Sequence, residues 1–135
     1  MFVRHLGLIG IMIDLAIRQA ESSSFERAPM GAVLTKGHKV LGSGQNKTNR
    51  HQSKIRTTSW PGSLHAEIAC VLDALRKHPV DKLKGATITV VRLGKKNKLR
   101  LAMPCRSCYN SLRNLGIKEV RFSNDNGGFT TMRFE

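Results

Sequence analysis

The chain has 135 residues, with 23 lysines and arginines against 9 acidic residues and a formal net charge of +14. This length allows one domain with one core and is too short for two. The longest apolar run, Leu6 to Ile13, ends at Asp14 and is too short to span a membrane. It leads into Arg18 to Glu21 without a small-residue cleavage site, so a signal peptide is not expected. We therefore expect a single domain over residues 1–135, in the cytoplasm and without a membrane segment.

The first predicted element is an amphipathic helix over residues 6–22. Its apolar residues recur at spacings of three and four, and three serines from Ser22 end it. Two short apolar runs follow, Gly31 to Thr35 and His38 to Leu41, around a turn that contains Gly37. This pattern predicts an antiparallel hairpin.

A polar stretch over residues 43–62 is predicted to be a long loop. Loops of this length inside a small domain are usually functional or disordered. Trp60, the only tryptophan, lies five residues before His65. Its ring could stack on a nucleobase at the mouth of a pocket or pack in the core, and the sequence leaves both roles open.

Two helices and a buried strand are predicted next. The second helix extends from about Leu64 to Lys77, and the β-branched run Thr87 to Val91 predicts a central strand parallel to the first. Leu93 to Arg100 is predicted to be a basic loop. The third helix is expected from Pro104 to Gly116, where glycine suits the end of a helix.

The chain is predicted to end in two strands joined by a tight turn. Residues 116–122 give a fourth strand, and residues 129–134 alternate as a fifth. Between them, Asn124 to Gly128 consists of turn-forming residues. The tail should therefore be a C-terminal antiparallel hairpin.

Two short motifs contain metal-binding residue types: His65-Ala66-Glu67 and, further on, Pro104-Cys105-Arg106-Ser107-Cys108. Zinc takes nitrogen and sulfur ligands tetrahedrally, and a site with three protein ligands keeps its fourth position for a reactive water. We therefore predict His65, Cys105 and Cys108 as the ligands of one Zn²⁺ ion. The two cysteines lie one helical turn apart at a helix N-terminus, where the helix dipole favours thiolates.

Glu67 is predicted to be the catalytic residue. A structural zinc site would close its fourth position with another Cys or His. A nearby carboxylate that is not a ligand can instead take the proton from zinc-bound water and hand it to a substrate. A lone Cys-x-x-Cys also occurs in redox pairs and zinc knuckles, but both motifs in this order favour a catalytic site.

The two motifs resemble the signature of the zinc-dependent cytidine deaminase superfamily, His-x-Glu followed by Pro-Cys-x-x-Cys. The resemblance covers roughly residues 6–134 and is most specific at the motifs. It implies an α/β fold of three α/β/α layers, with a five-stranded mixed sheet and zinc between the N-termini of helices two and three. It also implies hydrolytic deamination, in which zinc-bound hydroxide attacks C4 of cytosine and Glu67 moves the proton to the ring nitrogen and then to the amine.

Further positions are similar to particular branches of this superfamily. Gly31-Ala32-Val33-Leu34 and Gly42-Ser43-Gly44-Gln45-Asn46 look like the first hairpin of the tRNA adenosine and deoxycytidylate deaminases. That resemblance makes Asn46 the counterpart of an Asn that hydrogen-bonds the sugar of the substrate, and Ala66 would offer backbone polar groups to the base. Asn46 could equally be a turn residue. The direct C-terminal hairpin is more like the free-nucleoside cytidine deaminases.

The positive charge is concentrated in the two segments that lead into the metal motifs. Residues 27–66 and 82–118 contain no acidic residue and hold 17 of the 23 basic residues. A polyanion is the natural partner of such a distribution, although a charge run is often only a solvated face. The candidate nucleic-acid-binding residues are Lys47, Arg50, Lys54, Arg56, Lys95, Lys96, Lys98 and Arg100.

Three functions remain open from the sequence. The first is deamination of cytosine in single-stranded DNA or RNA, which the charge favours. The second is deamination of a free (deoxy)cytidine or (deoxy)cytidylate, favoured by the short tail and by an aromatic content of 5%, which leaves few stacking platforms. The third is an inactive zinc-bearing nucleic-acid-binding module, in which Glu67 would have no use. A homo-oligomer is compatible with all three.

Overall fold

The computed structural model describes residues 7–25, 27–48 and 63–134. In chain order the helices are α1 (Leu8–Glu21), α2 (Ala66–Lys77) and α3 (Arg106–Asn114), and short 3-10 turns cover Val80–Leu83 and Lys95–Asn97. The strands are β1 (Met30–Lys36), β2 (Lys39–Gln45), β3 (Lys47–Thr48), β4 (Ser63–Leu64), β5 (Thr87–Leu93), β6 (Leu99–Arg100), β7 (Glu119–Ser123) and β8 (Phe129–Arg133).

The main sheet is mixed and has the strand order β2-β1-β5-β7-β8, with the short β6 paired to β5. β5 and β7 are parallel, and the other pairs in this sheet are antiparallel. The five strands of the main path and the hairpin of β7 and β8 confirm the predicted fold class. The two residues of β6 add a sixth strand that the sequence analysis does not predict.

β5 is central, as its β-branched run predicts, but the predicted parallel pairing with β1 is wrong, because the two strands are antiparallel. The reason lies in the connection between them. The chain reverses direction from β1 to β2 through a tight hairpin, and helix α2 follows β2. A helical crossover joins strands that run in the same direction, so β5 runs with β2 and against β1.

Helix α1 covers one face of the sheet. Its apolar side chains pack on β1 and β5 in one hydrophobic cluster, whose buried members are Ile13, Ala16, Ile17, Ala20, Val33, Val91 and Leu93. Apolar residues at this spacing occupy one side of a helix, so the predicted amphipathic helix is confirmed. Gly31 of β1 allows the close approach, because a Cβ at this position would collide with the backbone of α1.

Helices α2 and α3 cover the opposite face. Leu34 and Val90 point to this side, because successive side chains of a strand alternate between the two faces of a sheet. They belong to one cluster with Cys70 and Ala74 of α2 and Leu112 of α3. The three layers are therefore α1, the sheet, and α2 with α3, as the resemblance implies.

The two stretches predicted as loops are partly strand. β2 continues to Gln45, and the pair β3 and β4 joins Lys47 to Leu64. In the basic segment, β6 turns back and pairs with β5 through a bend in which Lys96 and Asn97 have φ angles of 58° and 57°. The sequence does not reveal these pairings, because the hydrogen bonds are made by the backbone and are independent of the polar side chains.

The helices of the described ranges are short. The longest, α1, has 14 residues, and none of them is long and apolar enough to cross a membrane. The single domain over residues 1–135 and the cytoplasmic location stay predictions.

Candidate metal and catalytic site

The predicted zinc ligands lie at the N-termini of two helices. His65 is the N-cap residue of α2, and Cys105 is the N-cap residue of α3. Cys108 lies in the first turn of α3, where its backbone N–H donates to the Cys105 Sγ at 3.5 Å. The partial positive charge of a helix N-terminus stabilises thiolates.

The three donor atoms form one compact cluster. His65 Nδ1 lies 3.3 Å from Cys108 Sγ and 3.7 Å from Cys105 Sγ. A tetrahedral zinc ion, bonded at about 2.0 Å to nitrogen and about 2.3 Å to sulfur, separates its ligand atoms by roughly 3.5 Å. The donor set therefore fits a zinc ion in both element type and spacing. Within the described ranges no second group of this kind occurs.

Burial sets the protonation of the donors. It lowers the pKa of His65, which favours the neutral imidazole that binds a metal. Burial raises the pKa of Cys108, and the nearby negative charges of Glu67 and Cys105 raise it further. Two thiolates and a carboxylate are costly to bury together unless a cation compensates them. A bound divalent cation would therefore stabilise this group of side chains.

Glu67 is buried next to the donors but is not one of them. It lies in the first turn of α2, is 2% exposed, and does not belong to the cluster of His65, Cys105 and Cys108. Burial raises the pKa of Glu67 to about 7. Its Oε1 has no hydrogen-bond partner among the described residues, and a buried acceptor left in this state costs free energy. This oxygen is therefore available to a ligand.

A cavity of about 330 Å³ opens beside the donors. This volume lies within the range of small-molecule sites, which are mostly apolar with a few convergent polar groups. The lining residues are Phe25, Arg27, Ala28, Met30, Asn46, His65, Glu67, Arg92, Leu101, Met103 and Cys105. Leu101 and Met103 are 42% and 55% exposed, which places them at the mouth of the cavity.

Asn46 holds one wall of this cavity in place. Its Oδ1 accepts a hydrogen bond from the Met30 backbone N–H at 2.8 Å, and its Nδ2 donates to the Ala28 carbonyl at 2.7 Å. The Ser23 hydroxyl also donates to Oδ1. An amide group carries two N–H donors, and the second has no acceptor among the described residues, so it is available to a ligand.

The other predicted binding residues are less closely grouped. Ala66 is buried at the start of α2 and is not part of the cavity lining. The predicted basic residues that the structure describes are exposed and lie outside the lining: Lys47 on β3 and, on the β5–β6 hairpin, Lys95, Lys96, Lys98 and Arg100. The predictions that fall outside the described residues concern Arg50, Lys54, Arg56 and Trp60.

Arg92 is one of the cavity residues that the sequence analysis does not identify as a site residue. It enters the sequence analysis only as one basic residue of its segment, yet its side chain lines the cavity. A signal is nevertheless present in the sequence. Ile88 and Val90 occupy the same face of β5 in the core, and a charge at the next position of that face breaks the apolar pattern of a buried strand.

Comparison with known proteins identifies the family. Residues 11–124 match the family model described as the cytidine and deoxycytidylate deaminase zinc-binding region. The chain belongs to this family and is a zinc-dependent hydrolytic deaminase of the cytidine and deoxycytidylate type. Among curated proteins the comparison finds no match.

Solved structures show the same fold. A cytidine deaminase from Burkholderia pseudomallei is 23% identical with a TM-score of 0.67, over 91% of this chain and 90% of that one. The dCMP deaminase from the cyanophage S-TIM5, in apo form, is 19% identical with a TM-score of 0.64, over 84% and 80%. A mutant cytidine deaminase from Mycobacterium tuberculosis is 18% identical with a TM-score of 0.61, over 96% and 93%. At these identities the likeness concerns the fold.

Proposed function

We propose that the chain deaminates the cytosine of a free pyrimidine nucleoside or nucleotide, giving uracil and ammonia. The observation that carries this proposal is the unpaired Oε1 of the buried Glu67, which lines the same cavity as two of the three clustered metal donors. A free substrate is supported by the cavity volume of about 330 Å³. It is also supported by the similar solved structures, which are a cytidine deaminase and a dCMP deaminase.

In this proposal His65, Cys105 and Cys108 are the zinc ligands and Glu67 is the acid–base group. Zinc with three protein ligands lowers the pKa of a water at its open position. Glu67 accepts one proton of the water that attacks C4 and delivers it to the ring nitrogen. It then takes the proton of the new C4 hydroxyl and passes it to the departing amine, so that C4 becomes a carbonyl and ammonia leaves. One water is consumed and one ammonia is released, so Glu67 ends the cycle in its starting state.

The cavity walls supply the contacts that orient the substrate. Apolar contacts to the faces of the base come from Met30, Leu101 and Met103. We assign the second amide hydrogen of Asn46 to the sugar. Ala66 does not line the cavity, so its predicted backbone contact with the base is not part of this assignment. These contacts hold the base still while Glu67 transfers the proton.

Product analysis with free substrates tests the proposal. Zinc-loaded protein should convert cytidine or dCMP to the corresponding uracil compound, and Glu67→Gln should abolish this conversion while the protein stays folded. An inactive nucleic-acid-binding module would convert none of these compounds. That result would refute the proposed function.

A second candidate is deamination of cytosine in single-stranded DNA or RNA. The exposed lysines Lys95, Lys96 and Lys98 favour it, because no ion pair of the described residues involves them. Affinity for an oligonucleotide should then fall by about one to three decades between low and physiological salt. Replacing the three lysines with serine should flatten that slope without changing the zinc content. Salt-insensitive turnover of dCMP without oligonucleotide deamination would exclude this candidate.

A further inference from the structure

Arg92 occupies a fixed position on the cavity side of the sheet. It follows Ile88 and Val90 on the face that packs against α2 and α3. Its backbone N–H donates to the Ser123 hydroxyl at 3.0 Å, and that hydroxyl donates to the Arg100 carbonyl at 2.6 Å. The backbone of Arg92 is therefore held between β7 and β6, and its side chain starts from a defined point in the cavity wall.

The guanidinium group of Arg92 has no hydrogen-bond or ion-pair partner among the described residues. Its Nε is buried without a hydrogen bond, and the ion pairs found in the described part of the chain involve only the carboxylates of Asp73 and Glu119. Glu67 lines the same cavity, but its Oε1 also has no partner among the described residues, so Arg92 Nε and Glu67 Oε1 do not bond to each other. A buried cationic donor without an acceptor is costly, and a ligand anion would relieve this cost.

The chemistry of the group limits what that ligand can be. A guanidinium presents a planar fork of donors that matches a phosphate or a carboxylate. Within a cytosine nucleotide only the phosphate carries a negative charge. Arg27, an exposed residue that also lines the cavity, adds a second positive charge nearby. These residues would leave the uncharged base to the apolar walls.

We propose that Arg92 binds the 5′-phosphate of a nucleoside monophosphate, so that the cavity prefers a nucleotide to a nucleoside. This inference rests on the proposed function and names the substrate class of the same site. A phosphate could also belong to a polynucleotide backbone, but the polynucleotide continues on both sides of each phosphodiester. Both continuing ends would then have to leave the cavity. A buried Nε suits a terminal phosphate, which ends inside the cavity.

Kinetics with matched substrates test the inference. Arg92→Met removes the charge and the fork, Arg92→Lys keeps the charge alone, and Arg133→Met makes the same change at a side chain that is 73% exposed on β8. For dCMP, Arg92→Met should raise KM by roughly ten- to a hundredfold. Arg92→Lys should raise KM by an intermediate factor, and Arg133→Met should leave KM unchanged. Turnover of deoxycytidine should stay within a few-fold in all three variants.

Several results would overturn the inference. If Arg92→Met lost activity equally on dCMP and deoxycytidine, Arg92 would act on the base or on the fold. If the wild type did not prefer dCMP to deoxycytidine, the proposed phosphate contact would be refuted. A loss confined to a single-stranded oligonucleotide would assign Arg92 to a polymer. Zinc content and melting temperature are measured for each variant. If Arg92→Met does not fold, the inference is tested by comparing the KM for dCMP of Arg92→Lys with that of the wild type.

Equilibrium binding separates this inference from the proposed function. Calorimetry with dCMP and deoxycytidine requires no turnover. Tighter binding of dCMP that is lost in Arg92→Met, without ammonia release by the wild type, would refute the function and keep the phosphate site. Ammonia release together with equal binding of both compounds would keep the function and refute the role of Arg92.

Discussion

His65 Nδ1 lies 3.3 Å from Cys108 Sγ, although 43 positions separate the two residues along the chain. The contact brings together the start of α2 and the first turn of α3, two helices on the same face of the sheet. An ion bound by both residues therefore ties the two helices together. Because such an ion binds the folded chain in preference to the unfolded one, metal binding should add to stability.

We expect one zinc ion per chain in protein purified without added metal, since the three donors form one cluster in the described ranges. The double variant Cys105→Ser, Cys108→Ser removes both sulfur ligands and should lose the metal. Cys70→Ser is the matched control, because Cys70 is buried on α2 and its Sγ donates to the Gly42 carbonyl instead. Elemental analysis measures the metal. A metal-free wild type, or full zinc occupancy in the double variant, would contradict the ligand assignment.

Glu67→Gln keeps the size of the side chain and removes its capacity to transfer protons. The variant should fold, retain its zinc and lose activity by about a hundredfold or more. Glu119→Gln, a change of the same kind at a residue of β7 outside the cavity lining, should keep activity near that of the wild type. Activity of Glu67→Gln within a few-fold of the wild type would refute the acid–base role. Loss of zinc from it would indicate that Glu67 is a ligand.

Gly42 permits the contact between β2 and α2 that positions the metal helix. A Cβ there would lie 2.7 Å from the Ala74 backbone nitrogen and 2.8 Å from the Cys70 carbonyl oxygen. Gly42→Ala should therefore lower the free energy of unfolding by about 1–3 kcal/mol, because backbone atoms cannot move aside as side chains can. At Gly128 the nearest atom would be 3.7 Å away, so Gly128→Ala should change stability little. Urea unfolding of both variants measures the difference, and equal stabilities would contradict this packing.

Asp73 of α2 binds β2 as well as its own helix. Its carboxylate accepts hydrogen bonds from the Ser43 backbone N–H at 2.9 Å and from Arg76 and Lys77 at 2.8 and 3.1 Å. Burial raises the pKa of Asp73, but these bonds outweigh burial and lower the pKa from 3.8 to about 2. A lowered pKa means that the stabilisation is complete above pH 3.8 and is lost as the pH falls toward 2.

Asp73→Asn should therefore reduce the free energy of unfolding at neutral pH by about 1–2 kcal/mol, since two of the three donors are on exposed side chains. The difference between wild type and variant should shrink as the pH falls below 4. Chemical unfolding at several pH values measures it. A difference that stays constant down to pH 2 would show that the carboxylate charge is not its cause.

The sequence predicts the features that depend on local pattern. The amphipathic α1, the two hairpins and the order of helices follow from periodicity and turn residues, and the two motifs identify His65, Cys105 and Cys108 before any coordinates are known. The direction of β5 relative to β1 cannot be predicted from local pattern, because it depends on which strand the crossover helix follows. The pairing of β6 and the bonds from Asn46 to the Ala28 wall likewise join residues whose proximity no local pattern records.

For Arg92, the missing information on strand register hides a residue of the cavity. In the sequence it is one of 23 basic residues, and charge counts cannot separate a surface lysine from a cavity arginine. Its position in the cavity wall follows only from the strand register, which places it on the α2 and α3 face beside the cavity. The general basic charge favours a polynucleotide, whereas Arg92, whose Nε is buried in the cavity wall, favours a small anion.

Ammonia release by the zinc-loaded protein tests the central claim most directly. The four substrates are dCMP, cytidine, single-stranded DNA and tRNA, at equal concentrations of cytosine where they contain it. We expect ammonia from the free compounds, with dCMP used more efficiently than cytidine, and none above background from the two polymers. Ammonia from single-stranded DNA or tRNA alone, or from none of the four, would contradict the proposal.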